Sequence, residues 1–257
     1  MKTKFTTLRL DVGNGHSFWL DGNSKITGKD GTFAEPSPNA LSYPAPNACP
    51  MSTPTCRESC YTIGLHKHNP DMADKYTHNL QTLANLLQTP REAGRAAEEL
   101  AAYIDRLHGF RWHVSGDVTS ELHAKWISLV CHFTHTPSWI YTRSLWWVRH
   151  LRAPTLAVNI SADRDNYTDA LHVAAITGNR VCYMSTGVAD VPADLPAGSV
   201  IFPDYPARGR DSADPLAHPW WLARTPEQRK MVCPADFFGQ SETNRCGICT
   251  KCMKGTT

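Results

Sequence analysis

The chain has 257 residues, 41% of them hydrophobic and 19% charged, and its 26 basic and 24 acidic residues leave a net charge of +2. That length can bury a substantial core, and the apolar content excludes a disordered chain. No apolar run reaches the roughly 18 residues of a membrane span, residues 1–15 lack the apolar stretch of a secretory signal, and the balanced charge gives no electrostatic case for wrapping duplex nucleic acid.

In chain order, residues 1–55 read as irregular, because Asn14, Gly15, Asp21-Gly22, the glycines at 28 and 31 and the prolines between Pro36 and Pro54 interrupt them too often. A short strand fits near residues 18–20. Helical spacing follows over 71–88, with Leu80, Leu83, Leu86 and Leu87 on one side. Thr89-Pro90-Arg91-Glu92 then spells a capping box with proline at the first helical position. The helix it opens carries Leu100, Tyr103, Ile104 and Leu107 and is expected to end near Gly109.

From residue 110 short apolar runs alternate with helical patterns. Strands are expected at 110–114, 139–141, 155–160, 181–184 and 199–202, with helices over 120–133 and about 165–176, the second ended by Gly178. Strands separated by helices imply parallel pairing through right-handed crossovers. The expected fold is α/β: a partial or complete (β/α) barrel-like core with parallel strands, plus a cysteine-rich N-terminal loop and C-terminal tail. An open doubly wound sheet is the competitor. We read 1–257 as a single domain, with an irregular region to 68, an α/β core over 69–223 and a cysteine-rich segment over 224–257. In that last segment Thr225-Pro226-Glu227-Gln228 repeats the capping-box signal.

Polar residues follow each strand: Ser115, Gly116 and Asp117, then Thr142 and Arg143, then Ser161 and Asp163, then Ser185 to Gly187, then Asp204, with Asn159 inside the third strand. Ligands of α/β sheets sit at the carboxyl ends of strands. Singly, each of these residues is an ordinary turn or cap residue.

Nine cysteines in a chain without an export signal point to metal or redox chemistry before disulfides. Cys233-x12-Cys246-x2-Cys249-x2-Cys252 has the tight spacing of iron–sulfur ligation, with a four-thiolate zinc site as the alternative. Cys49-x6-Cys56-x3-Cys60 supplies three thiolates and no fourth nearby, which suits a cluster with one open iron. His66 or His68 would close it as a fourth ligand; the simpler reading makes both solvated residues of a polar loop. Cys131 and Cys182 read as small buried hydrophobes in a helix and a strand. Asp163 and Asp165 suit a hard cation or a helix start. Trp139, Trp146 and Trp147 beside Arg143, Arg149 and His150 read as packing residues, with base stacking as the alternative. The basic loop at 206–210 reads as solvated. Phosphate-loop, dinucleotide-fold, nucleophile-elbow and deaminase signatures are absent from the sequence.

Gly22-Asn23-Ser24-Lys25, Cys49-Pro50, Cys56 to Tyr61, the block Phe110-Arg111-Trp112-His113-Val114-Ser115-Gly116-Asp117-Val118, Tyr141 to Ser144, Asn159 to Asp163 and the cysteine-rich tail together resemble the phage gene product 88 family. That resemblance implies a phage or mobile-element origin and the host bacterial cytoplasm. More distantly, the chain resembles radical S-adenosylmethionine enzymes, which pair a three-cysteine [4Fe–4S] cluster with a partial (β/α) barrel. Their usual spacing is x3 then x2, where this chain has x6 then x3.

The wider resemblance implies one cluster on Cys49, Cys56 and Cys60 and an auxiliary one on Cys233, Cys246, Cys249 and Cys252. It implies cofactor contacts from Ser115, Gly116, Asn159 and Ser161, with S-adenosylmethionine as a further cofactor. Asp117, Arg143 and Asp163 are the expected catalytic residues. The expected function is redox, radical or sulfur chemistry on a small molecule or nucleotide, with no membrane partner. The alternative is a nonenzymatic module, stabilised by iron–sulfur or zinc, that binds a host protein or nucleic acid.

Overall fold

The computed structural model describes residues 7–22, 38–203, 212–239, 249 and 251–253. Asn23 to Lys25, Asp204, the loop at 206–210 and Cys246 lie outside the described residues. The strands are β1 (Thr7–Asp11), β2 (Ser17–Asp21), β3 (Ala40–Leu41), β4 (Phe110–Trp112), β5 (Ser138–Thr142), β6 (Leu156–Ala162), β7 (Arg180–Ser185) and β8 (Val200–Pro203). They form one sheet in sequence order. The β1–β2 and β2–β3 pairs are antiparallel, and every pair from β3 to β8 is parallel.

Among the described residues the strand order never reverses, so this sheet shows no switch point of the doubly wound kind. No pairing joins β8 to β1 among the described residues, so the sheet is a ladder with two ends.

Helices α1 (Pro54–Glu58), α2 (Tyr61–His68), α3 (Pro70–Leu86) and α4 (Pro90–Ile104) all fall between β3 and β4. Helix α5 (Glu121–Phe133) links β4 to β5, and α6 (Tyr167–Thr177) links β6 to β7. A 3₁₀ helix, Leu145–His150, makes the crossover between β5 and β6. After β8 come α7 (Pro219–Leu222), α8 (Pro226–Met231) and α9 (Pro234–Phe237).

Period-two alternation decides what each sheet face meets. Phe110, Trp112, Ile140, Val158, Ile160, Val181, Tyr183 and Ile201 are buried with Leu100, Ile104, Ile127 and Val130 of α4 and α5 in the main core. Trp139, Ala157, Cys182 and Val200 point the other way. They pack against Cys233 and Ala235 and against Cys252 and Met253 of the tail. The long helices thus cover one face, while Cys233, Ala235 and the tail at 251–253 lie against the other.

The N-terminal region corrects the sequence expectation. Residues 1–68 are not irregular throughout: β1 and β2 form a hairpin, and Gly13, Asn14 and Gly15, all with positive φ, are its turn. β1 escapes a hydrophobicity reading because none of its five residues is fully buried. β2 receives a polar clasp instead. The Asn79 amide on α3 accepts from the Trp19 N–H at 2.7 Å and donates to the Trp19 carbonyl at 2.8 Å and the Ser42 carbonyl at 2.9 Å.

The two expected long helices form, over 70–86 and 90–104. The second stops at Asp105, earlier than Gly109. Thr89 is its N-cap residue but makes no side-chain cap bond, so the capping box written there does not form. At Thr225 both bonds of the box are present.

Candidate functional site

Three strands deliver polar residues to one place. Asp117 follows β4, Arg143 follows β5 and Asp163 follows β6, where parallel strands all present their carboxyl ends. Asp117 is buried, and its carboxylate braces its surroundings. Oδ1 accepts from the Thr142 hydroxyl at 2.5 Å and the Val118 N–H at 2.7 Å, and Oδ2 accepts from the Arg143 N–H at 2.8 Å. Burial raises its pKa, and these three donors oppose the shift.

Asp163 is fully buried. Its Oδ2 accepts from Arg143 Nε at 3.3 Å and Nη2 at 3.2 Å, an ion pair held away from water.

The first cysteine set is docked onto this group by the segment that carries it. Asp117 N–H donates to the Ala48 carbonyl at 2.8 Å, which holds Cys49 beside the β4 end. Thr53 caps α1 by accepting from the Cys56 N–H at 3.0 Å while donating its hydroxyl proton to Asp163 at 2.6 Å. Asp165 accepts from the Thr55 N–H at 2.9 Å. Asp163 and Asp165 therefore tie down the start of α1, whereas the helix that follows them, α6, opens only at Tyr167. Cys60 is the N-cap residue of α2, and Tyr61 donates to the Val114 carbonyl at 3.0 Å.

Cys49, Cys56 and Cys60 are all free thiols of intermediate burial. Burial pushes the Cys49 thiol up to about 12; the charges of Asp117, Cys56 and Cys60 add to the shift and Arg143 opposes it. Cys56 is raised by burial as well, with Arg143 again opposing and Cys60, Asp163 and Asp117 adding. The three thiols thus share one electrostatic neighbourhood with Asp117, Arg143 and Asp163.

Among the described residues no three His, Cys, Asp or Glu side chains converge tightly enough for a single metal ion. Three cysteine thiols are the donor type of a polynuclear iron–sulfide core. Such a core takes each thiolate on a different iron.

His66 is not a loop residue. It lies in α2, half-buried, with Nδ1 near the Ala45 carbonyl at 3.2 Å and its ring edge-on to Tyr76. His68 is exposed at the end of the same helix.

Ser115 and Gly116 shape the β4 end. Ser115 is buried, its carbonyl accepts from the Tyr43 N–H at 3.0 Å, and its hydroxyl has no partner among the described residues. Gly116 has φ +82°, and an added Cβ would stand 2.8 Å from Tyr43 Cβ.

Asn159 and Ser161 belong to the sheet face turned toward the tail. Asn159 Nδ2 donates to the Ile140 carbonyl at 3.2 Å and to the Cys252 carbonyl at 3.0 Å. The structure therefore brings Asp117, Arg143 and Asp163 together with the first cysteine set, and places Asn159 against the second.

A neighbouring feature went unread in the sequence. Tyr43, His113 and His123 form a buried ring cluster with centroids 5.1–5.2 Å apart. Among the described residues the Tyr43 hydroxyl, both nitrogens of His113 and Nε2 of His123 have no hydrogen-bond partner. His113 also holds φ +57°, rare outside glycine. Its place in the His-Val-Ser-Gly-Asp block was the available signal. Trp146 corrects another expectation: Trp139 is buried, but Trp146 is 72% exposed and does not serve the core.

A family model described as gene product 88 matches residues 17–255, and the chain belongs to that family. No curated protein and no solved structure shows significant similarity to the chain.

Proposed function

We propose that this member of the gene product 88 family is an iron–sulfur enzyme whose Cys49, Cys56 and Cys60 hold a [4Fe–4S] cluster with one open iron. The observation that carries the reading is the docking of the segment that bears Cys49 and Cys56 onto Asp117 and Asp163 at the carboxyl ends of β4 and β6, beside Arg143 and with Cys60 close to both thiols. When bound, such a cluster supplies single electrons or a Lewis-acid iron to a small molecule or nucleotide.

The chain's own groups do the rest. Arg143 lies close enough to lower the Cys49 and Cys56 thiols and to offset thiolate charge. Asp163 fixes the guanidinium, and Asp117 orients the Arg143 backbone. Ser115, at the same strand end as Asp117, offers a buried hydroxyl with no partner among the described residues, a donor or acceptor for a bound ligand.

Sequential parallel strands with helices on one face also support the finer reading of a partial (β/α) barrel. S-adenosylmethionine as co-substrate, an auxiliary cluster on the tail and residence in a host bacterial cytoplasm belong to the same reading. No helix among the described residues is long and apolar enough to cross a membrane.

The test is anaerobic purification with iron and sulfide counts and electron paramagnetic resonance of the reduced protein. Iron and acid-labile sulfide that fall together in Cys49→Ala, Cys56→Ala and Cys60→Ala support the reading. A resonance that shifts on adding S-adenosylmethionine supports the radical branch. Zinc without sulfide replaces it with a metal-stabilised binding module. For that second reading the exposed Trp146, edge-on to Trp147, is the specific observation, since exposed aromatics stack single-stranded bases.

A further inference from the structure

We propose that Cys182, inside strand β7, is a ligand thiolate of an iron–sulfide core held by the C-terminal cysteines, standing with Cys233, Cys249 and Cys252; such a core spreads its thiolates over several irons, whereas no three donors among the described residues converge on a single ion. The inference rests on the reading of the tail as metal-binding and adds a ligand from a different part of the chain.

Cys131 supplies the contrast. It is a buried cysteine of α5, its Sγ lies 3.3 Å from Ser138 Oγ, and it packs within the main apolar core. That is how a cysteine used as a small hydrophobe behaves. Cys182 is as deeply buried, but on the opposite sheet face and among other sulfurs. It belongs to one packed cluster with Val200, Cys233 and Ala235, and Cys252 lies against that cluster. Cys252 and Cys233 each act electrostatically on the Cys182 thiol, and Cys249 acts on Cys252.

A single side chain links the sheet thiol to the tail. Asn159 Oδ1 accepts from the Cys182 thiol at 3.6 Å, while Asn159 Nδ2 donates to the Cys252 carbonyl at 3.0 Å. Arg180, two residues before Cys182 on the same face, donates to the Lys251 carbonyl, and Tyr141 is hydrogen-bonded to Cys252. The tail is thus seated with its sulfurs over β5, β6 and β7.

Charge agrees with ligation. Four thiolates on an iron–sulfide core carry net negative charge, and the guanidinium groups of Arg111 and Arg180 both act on Cys252. Arg111 is itself held over the Tyr141 ring at 5.1 Å. On binding, each thiol gives up its proton to solvent and its sulfur bonds to iron, so metal uptake becomes pH-dependent without any change of oxidation state.

The experiment uses the full chain with Cys49, Cys56 and Cys60 replaced by Ala, so that only the tail set can load. It is reconstituted anaerobically with ferrous iron and sulfide, and a parallel sample receives zinc. Into this parent are placed Cys182→Ala, Cys182→Ser, Cys246→Ala and, as a control, Cys131→Ala. Circular dichroism checks folding in each.

We expect both Cys182 variants to lose at least three-quarters of the bound metal while Cys131→Ala keeps it. We also expect metal to protect Cys182 from alkylation until a chelator is added. Retention of full metal by Cys182→Ala with loss in Cys246→Ala overturns the assignment and leaves the tail reading standing. A parent chain that binds neither iron nor zinc overturns both. If the Cys182 variants unfold, alkylation of Cys182 in the loaded parent decides: rapid labelling while metal stays bound overturns the proposal.

Discussion

The Asp163 carboxylate accepts a 2.6 Å hydrogen bond from the Thr53 hydroxyl across 110 residues of sequence, and the same oxygen faces the Arg143 guanidinium. One buried anion therefore fixes both the loop carrying Cys56 and the cation beside it. Removing it leaves a half-buried guanidinium and a capping hydroxyl unpaired. Asp163→Ala should cost about 3–5 kcal/mol, the usual penalty for breaking a buried pair, with Thr53→Val costing less because the ion pair survives. Denaturant unfolding measures both. Limited proteolysis adds a local readout, since the segment from Cys49 to Cys60 should be cut faster in Asp163→Ala than in wild type. Equal cutting would show that the clamp does not hold the loop.

Gly116 makes a separate demand. Its φ of +82° costs an L-residue about 1–2 kcal/mol, and a Cβ there would stand 2.8 Å from Tyr43 Cβ and 3.0 Å from the Tyr43 carbonyl oxygen. That oxygen belongs to rigid backbone and cannot swing aside. Gly116→Ala should destabilise by at least about 2 kcal/mol and disturb the Asp117 brace that follows it. Gly178→Ala is the comparison: φ is +71° but nothing lies within 4 Å of the added carbon, so only the conformational cost applies. A thermal melt in which both variants lose the same stability would exclude the steric contribution.

How much of this was legible follows from which signals are local. The five core strands and the helices around them announce themselves through apolar runs and helical spacing, so 138–142, 156–162 and 180–185 sit within a residue or two of expectation. Gly178 ends α6 in the left-handed conformation that glycine alone adopts freely. Of the hairpin 7–21, the short strand expected near 18–20 is present as β2, but β1 was not legible because this edge strand buries little, and the clasp on β2 comes from Asn79, some 60 residues away. The gathering of Asp117, Arg143 and Asp163 was foreshadowed by their recurrence at strand ends. Their docking onto the cysteine loop was not, because the bonds that make it span 110 residues. Asn159 shows the opposite limit. Its type and position suit a ligand contact, but only the fold reveals that its amide is turned to the tail.

The ring cluster of Tyr43, His113 and His123 fixes a pH dependence. Burial lowers the pKa of both histidines, to about 3 for His123, and His113 is lowered further by its neighbours His123 and Arg111. Thr119 N–H donates to His123 Nδ1 at 3.2 Å, so the folded ring is neutral with its proton on Nε2. An unfolded histidine takes up a proton near pH 6.5, and the folded one does not until far lower. The stability these rings hold is present above about pH 6.5 and is lost as pH falls toward the folded value. Asp21 runs the other way: burial raises it to about 6, so its contribution is full at low pH and fades as pH climbs through 6. Comparing wild type with His123→Gln cancels Asp21, which both share. Wild type should lose up to about 3 kcal/mol relative to the variant between pH 7 and pH 4. A stability difference that stays flat over that range would mean His123 is protonated in the folded chain.

Two near-identical tetrapeptides test what capping requires beyond sequence. Thr89-Pro90-Arg91-Glu92 and Thr225-Pro226-Glu227-Gln228 both spell the box. At Thr225 the hydroxyl accepts from the Gln228 N–H at 3.1 Å and Gln228 Oε1 accepts from the Thr225 N–H at 3.2 Å. At Thr89 ψ is 98° against 160° at Thr225, and no side-chain cap bond forms. The α3–α4 turn explains the difference: the Thr89 N–H is already used by the Leu86 carbonyl at 3.1 Å, which leaves nothing for Glu92 to accept. Glu92 instead reaches His16 of the hairpin turn at 3.5 Å. Thr225→Ala should therefore cost about 1 kcal/mol, and Thr89→Ala a few tenths at most. Because α8 leads directly to Cys233, the first variant should also speed hydrogen exchange across 226–233, an effect the second should lack. Equal costs for the two substitutions would show that the hydroxyl at Thr89 caps its helix in solution.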